Sequence, residues 1–135
     1  LISESGVLYR DIINLAREVR ENPLLSSYDF ALFVLPSDYS PAVADRYLKT
    51  FFGEKPYLAL YSTFVASNDF FTENGVVGIF LKGLKNSPCC GLKIFDNPKG
   101  LEDYIKGQPD RVHVIFIPYP LREFGKKFRF FEGLE

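Results

Sequence analysis

The sequence predicts an α/β domain with a mixed sheet of about five strands, helices packed on its faces, a parallel strand-helix-strand unit and an antiparallel hairpin. Three observations carry this. An unbroken apolar run, "YDFALFVLP" at 28–36, has the length and aromatic content of a central strand buried on both faces. A capped amphipathic helix follows it, and then a second apolar run, "PYLALYSTFV" at 56–65. The connection between the runs is long enough for a parallel crossover.

The elements follow in chain order. Leu8, Ile12, Leu15, Ala16 and Val19 recur at helical spacing through "GVLYRDIINLAREVREN", with Arg10, Asp11, Arg17 and Glu18 assigned to the solvent face. Asn22 before Pro23 disfavours continuing that helix, and "NPLLSS" reads as a turn. Ser40 is placed to cap the next helix, with Pro41 at its first position, Val43, Ala44, Tyr47, Leu48 and Phe51 as its stripe, and Gly53 at its end.

Asn74-Gly75 marks a turn before a third strand, "VVGIFLKG", predicted to pair antiparallel with the strand at 56–65. "GLKIFD" reads as a short half-exposed strand, with Leu92 and Ile94 on one side and Lys93 and Phe95 on the other. Asn97 and Pro98 open a helix carrying Leu101, Tyr104 and Ile105, and Gly107 ends it. "RVHVIFIP" predicts another buried strand, and Phe124, Phe128 and Phe131 predict a helix from about Leu121 or Arg122.

At 135 residues a single domain, 1–135, is the expectation. With 47% hydrophobic residues, 14 Phe and 8 Tyr, the core is ring-rich and disorder is excluded. The chain has no Met, which predicts processing or excision from a longer protein, of which this would be the N-terminal part. No apolar run approaches the roughly 20 residues of a spanning helix, and the N-terminus lacks a signal pattern, so a non-membrane cytoplasmic protein is expected. The adjacent Cys89 and Cys90 cannot easily pair with each other, and reduced thiols agree with that compartment.

Several chemistries are disfavoured. The one histidine, His113, lies inside a predicted strand and reads as packing, not as a catalytic base. Two adjacent thiols and one distant imidazole do not make a zinc site, and no glycine-rich phosphate motif is present, so no metal or cofactor is expected. A net charge of −1 does not suggest a nucleic-acid partner. In the tail, Glu123, Glu132 and Glu135 offset three of Arg122, Lys126, Lys127 and Arg129.

The remaining site lies where open α/β sheets hold ligands, at strand C-termini. Ser37, Asp38, Tyr39 and Ser40 follow the first central strand and precede a helix N-terminus. Tyr61, Ser62 and Thr63 stand at the end of the second. Parallel neighbouring strands would bring both sets to one edge. The candidate ligand residues are therefore Ser37, Asp38, Tyr39, Tyr61, Ser62 and Thr63, with capping and loop solvation as the plain alternative.

Over roughly residues 5–135 the order "FALFVLPSDYSP", "AVADRYLKTFF", "KPYLALYSTFVAS" and "NGVVGIFLKG" resembles the N-terminal part of the FIST sensory domain. The match is nearest at Ser62-Thr63, where Leu60, before Tyr61, and Val65, after Phe64, replace the family's flanking glycines. The resemblance implies an intracellular, non-catalytic sensory or signalling module for small molecules such as amino acids. The replaced glycines imply a pocket that is narrower, more aromatic or absent. Two alternatives stand beside it. One is a protein-interaction or assembly domain using an aromatic surface near Phe70, Phe71, Phe124 and Phe128, with a signalling partner, its own remaining chain or a second copy. The other is a thiol enzyme at Cys89 or Cys90.

Overall fold

The computed structural model describes residues 1–82 and 93–109. The chain divides into two compact units, Leu1–Gly91 and Leu92–Glu135, each described by itself. The predicted strand at 111–118, the final helix, His113, Cys89, Cys90, Phe124 and Phe128 lie outside the described residues.

The first unit opens with a two-residue strand, β1 (Ile2–Ser3), and a helix, α1 (Leu8–Glu21). The predicted stripe of Leu8, Ile12, Leu15, Ala16 and Val19 is buried. Asn22 does two jobs that explain the break. Its backbone N–H closes α1 on the Glu18 carbonyl, and its side chain accepts from the Leu24 N–H at 3.0 Å to start a short helix, α2 (Pro23–Ser26). The sequence reading had only a turn there.

β2 (Phe30–Pro36), α3 (Pro41–Phe52) and β3 (Tyr57–Ser62) form the expected strand-helix-strand unit, with β2 and β3 parallel and paired from Ala31↔Tyr57 to Pro36↔Ser62. The chain then leaves the sheet for a separate antiparallel ribbon, β4 (Val65–Ala66) and β5 (Phe71–Thr72), and returns as β6 (Val76–Leu81). The sheet order is β1-β6-β2-β3.

The pairing of β6 corrects an expectation. β6 runs antiparallel to β2, from Phe30↔Leu81 to Val34↔Val77, and not to β3. Residues 63–75 are too long for a tight hairpin and carry the ribbon, so the chain can cross to the other side of β2. That side supplies aromatic partners. Phe80 meets Tyr28 and Phe33 edge-on, with ring centroids 5.1 and 5.8 Å apart, and Gly78 lies opposite Phe33. A Cβ on Gly78 would stand 2.9 Å from the Phe80 ring, so glycine is needed for this close approach.

One face of the sheet makes the core. Ala31, Phe33, Leu35 and Val76 pack with Leu8, Ile12, Leu15 and Val19 of α1 and with Ala44 and Leu48 of α3. Because both helices serve this face, β2 is fully buried on one side only. Its alternate residues Phe30, Leu32 and Val34 are half-buried, which corrects the reading of a strand buried on both faces. β3 is half-buried for most of its length, as suits its place at the end of the sheet order.

In the second unit α4 (Pro98–Lys106) begins as read from the sequence, with the Asn97 side chain accepting from the Gly100 N–H at 2.8 Å. Residues 93–96 are irregular, not a strand. Phe95 packs on Tyr104 at 5.4 Å between centroids and Lys93 Nζ lies 4.8 Å over the same ring. Both residues fold back onto α4, and Ile94 between them points to solvent.

Candidate functional site

The parallel register decides the geometry of the candidate site. Pro36 and Ser62 are partners in the ladder, so Ser37 and Thr63 leave the same edge of the sheet. The loop after β2 leads within four residues into α3, whose first position is Pro41. Ser40 stands at the N-cap with extended backbone, yet its side chain makes no capping bond, contrary to the expectation. The first turn of α3 therefore reaches this edge without a side-chain cap and offers main-chain donors.

The six candidate residues are not equivalent. Ser37, Asp38, Tyr61 and Thr63 are exposed. Tyr39 is half-buried, and its hydroxyl donates to the Gly6 carbonyl at 3.1 Å, tying the loop to the start of α1. Ser62 is engaged locally. Its hydroxyl donates to the Phe64 carbonyl at 2.6 Å, and its oxygen accepts from the Phe64 N–H at 3.4 Å. That small turn bends the chain out of β3 and toward β4, replacing what a glycine would otherwise do.

Tyr61 points to the opposite face from Ser62. Strand alternation places it with Tyr57, and its ladder partner is the core residue Leu35. Its pKa is raised above 10.0, first by burial and then by the carboxylate of Asp45 on α3. Asp45 also accepts a hydrogen bond from the Tyr57 hydroxyl and pairs with Lys49 at 2.8 Å. The register thus brings Ser37, Asp38, Ser62 and Thr63 to one edge, with Tyr39 tied back to Gly6 and Tyr61 exposed on the other face of β3.

One polar group escaped the sequence reading. Asp11, assigned to the solvent face of α1, is 1% exposed. It accepts from the Ser3 hydroxyl at 2.6 Å and from the Ser5 N–H at 2.7 Å, and the Asn14 side chain donates to Ser3 at 3.2 Å. The signal was present in the spacing. Position 11 lies three after Leu8 and four before Leu15, within the buried stripe.

Among the described residues no group of three His, Cys, Asp or Glu side chains is placed to hold a metal, and no helix is long and apolar enough to cross a membrane. Comparison with protein-family models, curated proteins and solved structures finds no match to this chain.

Proposed function

We propose that this chain is a non-catalytic sensory or signalling module that holds a small polar ligand, such as an amino acid, at the C-terminal edge of β2 and β3. The carrying observation is the Pro36↔Ser62 register, which sets Ser37, Asp38 and Thr63 along one edge beside the uncapped start of α3. The pieces suit a zwitterion. Main-chain donors at a helix start favour a carboxylate, the Asp38 carboxylate favours an ammonium group, and the hydroxyls fix orientation. The resemblance to the FIST sensory domain supports the same reading and, with the adjacent thiols, an intracellular setting.

The test is a thermal-shift screen of the folded chain against amino acids and related metabolites. A ligand that binds only the folded state at 100 times its Kd adds about 2.7 kcal/mol, enough for a clear rise in Tm. No rise across such a panel, with the protein folded and monodisperse, overturns the proposal.

A second reading, assembly with another protein, is favoured by one observation. Phe64, just before β4, and Phe71 of β5 are 56% and 60% exposed, yet stacked with ring centroids 5.8 Å apart. An exposed ring pair of this kind is a common interface anchor. Sedimentation that shows self-association of the native chain, abolished in a Phe64→Ser, Phe71→Ser double variant, favours it. A monomer at all concentrations removes self-assembly.

A further inference from the structure

We draw no further inference here: the strongest candidate, the apolar second face of the sheet running from Phe30 and Leu32 of β2 across to Ile79 and Leu81 of β6, carries nothing because nothing in the structure shows what covers it.

Discussion

The hydroxyl of Ser3 donates to the buried carboxylate of Asp11 at 2.6 Å, joining the first strand of the sheet to the helix that covers it. The Ser5 N–H reaches the same oxygen at 2.7 Å. A carboxylate at 1% exposure is stable only with such donors around it, so the seating of β1 and the burial of Asp11 are one event.

Asp11→Ala is therefore expected to destabilise the fold by about 1–3 kcal/mol, because the Ser3 and Ser5 donors lose their acceptor. Ser3→Ala should cost less, about 1 kcal/mol, since the Ser5 bond remains. Urea unfolding of the two variants checks this. An unchanged midpoint for Asp11→Ala contradicts a structural role for the cluster.

The Phe80 ring lying over Gly78 gives a second test. Gly78→Ala places a methyl group 2.9 Å from the Phe80 ring, which is itself packed on Phe33 and Tyr28. The ring must move, at a cost of about 1–3 kcal/mol. A tolerated alanine, with the parent's unfolding midpoint, would show that the Phe80 ring does not lie over Gly78 in this way.

Alkaline pH probes Tyr28. Burial raises its pKa above the ordinary 10.0. Below that value the phenol is protonated in both states and contributes no pH dependence. As pH climbs past 10.0 the unfolded chain releases the proton first, the folded state holds more protons, and stability falls until the folded pKa is passed. Tyr28→Phe should show a shallower decline in stability above pH 10 than the parent. Equal slopes would mean that Tyr28 does not ionise differently in the two states.

Asp38 separates binding from folding. It is exposed at the loop after β2, so Asp38→Ala should change stability by no more than about 0.5 kcal/mol in the absence of ligand. The same variant should lose most of any ligand-induced rise in Tm, because the ammonium partner is gone. A full shift retained by Asp38→Ala would place the ligand elsewhere.

Much of this architecture is legible locally. The stripe of α1, the proline-opened α3, the Asn97 cap of α4 and the apolar runs of β2 and β3 all follow from spacing and cap chemistry within one segment. The candidate edge is half legible. Its residues can be named from the strand ends, but their division into exposed and hydrogen-bonded groups depends on alternation and turn geometry in the folded chain.

What the sequence by itself determined is the order and kind of these segments, because helix periodicity, strand composition and caps act over a few residues. Only the tertiary structure decided that β6 joins β2, which donors surround Asp11, and that Lys93 and Phe95 turn back onto α4. Those outcomes depend on ring packing and donor placement between different elements, beyond the reach of helix periodicity or cap chemistry. The ends of β2 and β3 became one edge for the same reason: a parallel ladder fixes Pro36 beside Ser62, and no local pattern encodes that register.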